Sequence, residues 1–238
     1  MNTILFDLDG TLLPMDHDPF MKSYFTHLSI HLAPYGFQPK EIVKVIMTGF
    51  DAVVENDGSM KNADRFWSAV LPLLGNRATI FAQAIDEFYD VGYQACKQPM
   101  MPHPQIAGII QQLKQKGYQL VVATGPVFYE KAIHHRLRWA GLNPADFALI
   151  TTLNTATFGK PNPAYYQEIL TQLNKTPSEC LMVGNDVHND MVGATAVGLS
   201  TYLITTHLMP TLADQKERYR NGTYDDFFEF VRHLPSVN

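Results

Sequence analysis

The second half of the chain alternates short apolar runs with longer stretches in which apolar residues recur at helical spacing. The runs are rich in aliphatic residues and are bounded by glycine, proline or polar residues, which is typical of buried strands. Strands are predicted at 118–123, 147–151, 179–183 and 201–204, after a first strand at 3–8. Helices are predicted from Ile106 to Gly117, at about 126–140, 163–173 and 189–197, and around Phe227–Leu234. This alternation indicates a parallel sheet with helices on both faces.

The segment from about Asp16 to Cys96 has a different pattern. It carries four apolar stripes at helical spacing, of which Tyr24, Leu28 and Leu32 are part of the first, and it contains no credible strand. Its breaks contain glycine, as at Asn56-Asp57-Gly58. The segment therefore predicts a helical bundle, and the proline-rich stretch 98–104 after it predicts a stiff connector.

Together these patterns predict a doubly wound α/β fold with a parallel sheet, interrupted after its first strand by a helical bundle. We expect residues 1–14 and 99–238 to form the core domain, and residues 15–98 to form the inserted domain. In sheets of this kind the ligand site lies beyond the carboxyl ends of the strands. The residues that follow each predicted strand are therefore the candidates for chemistry.

Two aspartates stand where the first strand ends. Asp7 and Asp9 are two residues apart, so an extended backbone directs both carboxylates to the same side. Unpaired like charges would repel and raise one pKa, so a bound cation or a catalytic role is expected. The plain alternative is a strand that ends in a solvated acidic turn.

Polar groups also follow the other predicted strands. Thr124-Gly125-Pro126 follows the strand at 118–123, and Pro126 suits the first position of a helix, where free backbone N–H groups attract an anion. Lys160 is followed by Pro161, which holds it extended. Gly184-Asn185-Asp186 follows the strand at 179–183, with Asp190 four residues after Asp186. Taken singly, these are also explained as helix caps and a surface lysine.

The string FDLDGTLL around Asp7 resembles the first motif of the haloacid dehalogenase-like (HAD) hydrolase superfamily. The stretches at Thr124, Lys160 and Gly184 resemble the second, third and fourth motifs, in the same order. The resemblance covers residues 1–13 and about 100–205. It implies a phosphoric monoester hydrolase with a Rossmann-like core, in which the inserted helices have the position of a C1 cap domain.

The resemblance also implies residue roles. Asp7 would be the nucleophile that forms an aspartyl-phosphate, because a carboxylate is already ionised at neutral pH. Asp9 would be the general acid and then the general base. Thr124 and Gly125 would bind the phosphoryl group, and Lys160 would neutralise both the nucleophile and the phosphoryl oxygens. The presence of Asp9 argues against dehalogenase chemistry, which lacks that second acid.

The expected cofactor is Mg²⁺, which prefers oxygen ligands and keeps several waters. Its ligands would be Asp7, the backbone carbonyl of Asp9, and Asp186. The chain has Asn185 where many members of the superfamily have an aspartate, so the choice between Asn185 and Asp186 as the metal ligand stays open, with Asp186 preferred. Asp190 would support the site without binding the metal directly.

Composition narrows the class of partner. The net charge is −5 with scattered lysine and arginine, so nothing resembles the basic surface of a nucleic-acid-binding protein. No apolar stretch approaches the length of a membrane span, and the N-terminus lacks the pattern of a signal peptide. Cys96 and Cys180 read as two buried free thiols, which fits a cytoplasmic protein. The expected partner is a small phosphorylated metabolite; the oligomeric state is open.

Two other functions remain open from the sequence. A phosphomutase of the same fold would return the phosphoryl group to a sugar, and a non-catalytic protein would only bind a phosphometabolite. A phosphonatase is disfavoured, because it needs a lysine poised for a Schiff base. The sequence does not decide which cations of the inserted helices meet a substrate. The candidates are Lys22, Lys40, Lys44, Lys61 and Arg65.

Overall fold

The computed structural model describes residues 1–237, and its centre is a six-stranded parallel sheet. The strand order is β3-β2-β1-β4-β5-β6. The strands are β1 (Thr3–Phe6), β2 (Gln119–Val122), β3 (Leu149–Ile150), β4 (Cys180–Gly184), β5 (Ser200–Ile204) and β6 (Asn221–Gly222). Since chain order reverses beside β1, the sheet has its topological switch point there, where α/β proteins bind ligands.

Within residues 1–237, four α-helices lie between β1 and residue 98, and five follow residue 98. The first group is α1 (His17–Leu32), α2 (Pro39–Val54), α3 (Asn62–Leu74) and α4 (Ala78–Asp90). The second group is α5 (Ile106–Gln115), α6 (Glu130–Trp139), α7 (Pro163–Leu173), α8 (Gly193–Ala196) and α9 (Tyr224–His233). We call α1–α4 the inserted helices.

Residues of β1 alternate between two apolar clusters, one on each face of the sheet. Ile4 and Phe6 belong to a cluster that includes residues of α5, α6, α9 and the inserted helices. Leu5 belongs to a second cluster with residues of α7. All four residues of β1 are buried, as expected for a central strand covered by helices on both faces. The prediction of an α/β fold with a doubly wound parallel sheet is confirmed.

Several element boundaries differ from the sequence prediction. The third strand is only Leu149–Ile150 rather than 147–151. The helix expected at 189–197 is a π-helical turn, Val187–Val192, followed by α8. The short strand β6 was not predicted, because Asn221 and Gly222 carry no apolar signal; it is defined only by pairing with β5.

The helix after β2 begins later than predicted, and this changes the environment of Thr124. It starts at Glu130 rather than near residue 126, with Tyr129 as its extended N-cap residue. Pro126 lies in a turn in which the Val127 N–H donates to the Gly125 carbonyl at 2.9 Å. The expectation that Pro126 opens the helix is therefore wrong, and the helix start cannot supply the N–H groups beside Thr124.

The inserted helices follow the four predicted stripes, and their breaks fall at or near the predicted positions. The domain boundaries themselves stay a prediction. Both cysteines are buried free thiols, as expected. Within residues 1–237, none of the helices combines the length and apolar character that crossing a bilayer requires.

Candidate active site

Loops that follow the central strands bring the predicted residues to one end of the sheet. The backbone ladder continues past the end of β1, because the Asp7 N–H donates to the Val183 carbonyl at 2.8 Å. On the other side of β1, the Ala123 N–H donates to the Phe6 carbonyl at 2.7 Å. These bonds fix Asp7 between the loop that carries Thr124 and the loop that carries Asp186.

Lys160 joins two of these loops through its ammonium group. Its Nζ lies 2.8 Å from Oδ1 of Asp7 and 2.6 Å from Oδ1 of Asp190. Burial alone would lower the pKa of Lys160, but Asp190 and Asp7 raise it well above its ordinary value. The lysine is therefore a permanent cation beside the proposed nucleophile.

Asp190 connects Lys160 to the backbone of the loop after β4. Its Oδ2 accepts hydrogen bonds from the backbone N–H groups of Asn185 and Asp186, both at 3.0 Å. A Cβ at Gly184 would lie 2.1 Å from that oxygen, so glycine is needed for this approach. Burial raises the pKa of Asp190 and Lys160 opposes the rise. The position fits the predicted supporting role of Asp190.

Asp9 has a partner that the sequence analysis missed. Its Oδ2 accepts a hydrogen bond from Nη1 of Arg136, on α6, and Arg136 is fully buried. Burial raises the pKa of Asp9, while Arg136 lowers it and Asp7 raises it; the net direction is upward. The sequence could have indicated Arg136, because this arginine lies beside Ile133 and Leu137 on the apolar face of a predicted helix.

Thr124 and Gly125 line the same cavity as Lys160, which has a volume of about 350 Å³. The Thr124 carbonyl accepts hydrogen bonds from the hydroxyls of Thr151 and Tyr165, each at 2.9 Å. These two bonds fix the loop, although its N–H groups are not those of a helix start. Thr124 thus keeps its place at the cavity without the helix that was expected behind it.

The loop after β4 distinguishes Asn185 from Asp186. The Asn185 side chain is held by two hydrogen bonds. Its Oδ1 accepts a hydrogen bond from the hydroxyl of Thr11, in the loop after β1, at 3.2 Å, and its Nδ2 donates to the His207 carbonyl at 2.6 Å. The Asp186 carboxylate caps the following turn and accepts three N–H bonds, from the backbones of His188 and Asn189 and from the Asn189 side chain. A carboxylate has about four lone-pair positions, so one acceptor position of Asp186 remains unused by these three bonds.

Residues of the predicted metal site offer free oxygen ligands. Among the described residues, the Asp7 carboxylate accepts a hydrogen bond only from Lys160, and none is donated to the Asp9 carbonyl. No three side chains of His, Cys, Asp or Glu within residues 1–237 are arranged as a metal cluster. A cation here would rest on two carboxylates, a backbone oxygen and water, which is a donor set that suits Mg²⁺.

All predicted site residues line this single cavity: Asp7, Asp9, Thr124, Gly125, Lys160, Asn185, Asp186 and Asp190. The cavity continues toward α2, which contributes Met47, Phe50 and Asp51 to its wall. The inserted-helix cations that sequence analysis left undecided do not line it. The candidates that do not line the cavity are Lys22, Lys40, Lys44, Lys61 and Arg65.

Polar contacts tie the inserted helices to the loop that carries Lys160. The Asn56 side chain donates to the Thr157 carbonyl at 2.7 Å, and that of Asn62 donates to the Phe158 carbonyl at 3.2 Å. Lys61 extends from the same turn to the Thr155 carbonyl at 2.9 Å. These contacts lie two to five residues before Lys160. They explain why Lys61 does not reach the cavity.

A parallel α/β sheet with paired aspartates and a buried lysine beyond its strand ends defines a candidate hydrolase of the doubly wound class. The family model described as "haloacid dehalogenase-like hydrolase" matches residues 1–198. The chain belongs to the haloacid dehalogenase-like hydrolases. The predictions of this family and of a hydrolytic enzyme are confirmed.

Curated relatives and solved structures extend this similarity. Pyrophosphatase PpaX of Bacillus mycoides is 24% identical over 86% of this chain and 84% of its own length. Glyceraldehyde 3-phosphate phosphatase of Methanothermobacter thermautotrophicus is 30% identical over 58% of this chain and 59% of its own. A protein described as HAD-hydrolase YfnB from Bacillus subtilis, solved bound to magnesium, has a TM-score of 0.56 and 18% identity, covering 97% of this chain and 98% of its own. This last similarity concerns the fold.

Proposed function

We propose that this protein is a Mg²⁺-dependent phosphatase that hydrolyses a small phosphorylated metabolite through an aspartyl-phosphate on Asp7. The observation that carries the proposal is the contact of Lys160 with both Asp7 and Asp190 beside Thr124, at the carboxyl ends of three neighbouring strands. Relatives named as phosphatases support the class of phosphoric monoester hydrolases.

In the first step an Asp7 oxygen attacks phosphorus, and the bond from phosphorus to the ester oxygen breaks. Asp9 transfers its proton to that leaving oxygen, which departs as the alcohol. The upward shift of the Asp9 pKa, caused by burial, favours the protonated form that this role requires. In the second step Asp9 takes a proton from water, which attacks phosphorus and releases inorganic phosphate and the Asp7 carboxylate.

Charge stabilisation would come from the groups that already surround Asp7. Lys160 is held by two carboxylates, so it needs no reorganisation to face the phosphoryl oxygens. Thr124 and the Gly125 backbone, which line the same cavity, would also bind those oxygens. Mg²⁺, when bound, would neutralise phosphoryl charge and orient the group for in-line attack.

The proposed ligands of Mg²⁺ are Asp7, the Asp9 carbonyl and Asp186. The Asn185 amide is engaged by Thr11 and His207, which favours Asp186 over Asn185. Magnesium in the YfnB structure supports the choice of metal. We further propose that residues 15–98 act as a cap over the site, with 1–14 and 99–238 as the core, and that the protein acts in the cytoplasm, which the two free thiols support.

The test is hydrolysis of p-nitrophenyl phosphate by the full chain with Mg²⁺, for wild type and Asp7→Asn. Wild type should turn over and form an acid-stable phosphoenzyme, and Asp7→Asn should do neither. Retained activity in Asp7→Asn would refute the nucleophile. Turnover that depends on a bisphosphate activator would instead indicate a phosphomutase, and no turnover on a broad phosphate panel would indicate a binding protein.

A further inference from the structure

The wall of the cavity on the side of α2 carries very little positive charge. Within residues 1–237, Lys160 is the one lysine or arginine that lines the cavity, and its ammonium is already shared between Asp7 and Asp190. Lys44 lies one helical turn before Met47 on α2 and is not part of the lining. No lysine or arginine of the described lining is therefore left unpaired for a second anionic group on a substrate.

Apolar side chains form most of this wall. Phe50 of α2 and Phe128 of the loop after β2 both line the cavity, with their ring centroids 5.1 Å apart. Met47 and Val54 are 38% and 49% exposed, which leaves apolar surface facing the cavity and solvent. Burying such surface against a substrate is favourable only if the substrate has an apolar part.

Asp51 supplies the charge of the α2 wall. It is exposed, lines the cavity, and forms no side-chain hydrogen bond or ion pair with any described residue. His17 also lines the cavity, and its Nδ1 lies 3.5 Å from the Asp18 carboxylate. A second anion on the substrate would thus face an unneutralised carboxylate, whereas an ammonium group would be attracted to it.

We propose that the substrate is a phosphate monoester whose alcohol part has an apolar body, is neutral or carries a protonated amine, and lacks a second anionic group. The proposal rests on the phosphatase function above and names its substrate class. Asp51 is the specificity residue: it repels carboxylate-bearing or second-phosphate-bearing esters and favours amine-bearing ones.

Three aryl phosphates with the same apolar body test this class: phenyl phosphate and its 4-aminomethyl and 4-carboxy derivatives. With wild-type protein and Mg²⁺, kcat/KM should be highest for the aminomethyl compound and at least about tenfold lower for the carboxy compound, because the charges differ near an unpaired carboxylate. Equal or higher kcat/KM for the carboxy compound would overturn the proposal.

Variants of Asp51 separate charge from shape. Asp51→Asn should reduce the ratio of aminomethyl to carboxy kcat/KM toward one, and Asp51→Lys should reverse the preference. Asp64→Asn, a matched change at an exposed aspartate of α3 outside the cavity, should keep the wild-type ratio. An unchanged ratio in both Asp51 variants would overturn the role of Asp51.

Failure of this inference can be distinguished from failure of the proposed function. Hydrolysis of phenyl phosphate that requires Asp7, together with a preference for the carboxy compound, would keep the phosphatase and reject the substrate class. Absence of Asp7-dependent hydrolysis of all three esters would reject the phosphatase itself.

Discussion

The guanidinium of Arg136 is bound by the carboxylate of Asp9 inside an aromatic enclosure. It lies 4.4 Å from the ring centroid of Phe128 and 5.5 Å from that of Phe20, and Arg136 has no exposed surface. Its Nε and Nη2 have no hydrogen-bond partner among the described residues. Asp9 therefore provides the one hydrogen-bond acceptor that the buried Arg136 guanidinium has among the described residues, in addition to its proposed catalytic role.

Removing Asp9 should destabilise the protein. Asp9→Ala leaves the Arg136 charge buried without its partner, and losses of about 3–5 kcal/mol in the free energy of unfolding are typical of such cases. Replacing Arg136 as well, with the apolar Met, should recover most of that loss. Urea denaturation of wild type, Asp9→Ala, Arg136→Met and the double variant measures this coupling. Additive effects of the two changes would contradict it.

The metal requirement should depend on Asp186 more than on Asn185. Asp186→Ala should raise the Mg²⁺ concentration for half-maximal activity at least tenfold, since it removes a proposed ligand. Asn185→Ala should mainly lower stability, because its amide joins Thr11 to the His207 carbonyl. Titration of activity with Mg²⁺ after treatment with a chelator measures both. A larger shift for Asn185→Ala would assign the ligand to Asn185.

Asn62 should matter for stability although it lies outside the site. It is fully buried, donates to the Phe158 carbonyl and accepts from Asn56 at 2.8 Å. Asn62→Ala removes both hydrogen bonds and leaves the Phe158 carbonyl without this donor, so we expect a loss of about 1–3 kcal/mol in the free energy of unfolding. Asn76→Ala, at an exposed position, is the control and should change it little. An equal effect of both changes in thermal unfolding would refute the role of the contact.

Glu179 should contribute stability that disappears in acid. Its pKa is lowered to about 2, first by the Thr176 N–H and then by the side chains of Thr176 and Asn2. A carboxylate with a lowered folded-state pKa stabilises the fold above its unfolded value, 4.5, and loses that contribution as pH falls toward 2. Glu179→Gln should therefore be less stable than wild type at pH 7, with a gap that narrows between pH 4.5 and 2.

Urea midpoints measured across this pH range provide the check. Glu55→Gln, at an exposed carboxylate without hydrogen-bond partners among the described residues, should give no such pH-dependent gap. A gap for Glu179→Gln that stays constant down to pH 2 would show that the carboxylate charge is not the cause.

The sequence predicted the sheet because its strands are buried on both faces and therefore read as continuous apolar runs. It predicted that Asp7, Thr124 and Asp186 lie together, because parallel strands end at one edge of the sheet. Weak elements were harder to predict. Strand β6 consists of Asn221 and Gly222 and exists only through its pairing with β5, and the start of α6 at Glu130 depends on a tertiary bond from Leu153 to the Phe128 carbonyl.

Residues whose role depends on their neighbours were also missed. The role of Arg136 depends on the contact of its helix with Asp9. The role of Asp51 depends on the position of α2 in the wall of the cavity. Lys61 and Arg65 looked like possible substrate contacts. The structure instead places Lys61 against Thr155, and Arg65 against Asp57 at 2.7 Å. The charge of a residue alone therefore did not predict whether its side chain lies at the cavity or in a structural contact.

The turn between α2 and α3 holds the strand-end loop that carries Lys160 by the hydrogen bonds of Asn56 and Asn62. A movement of the inserted helices that carried this turn away from the loop would break those bonds, which lie two and three residues before Lys160. Under the proposed function, product release by such a movement would be coupled to the position of Lys160. Release of the alcohol would free the loop that carries Lys160, and each new reaction cycle would begin with the hydrogen bonds of Asn56 and Asn62 forming again.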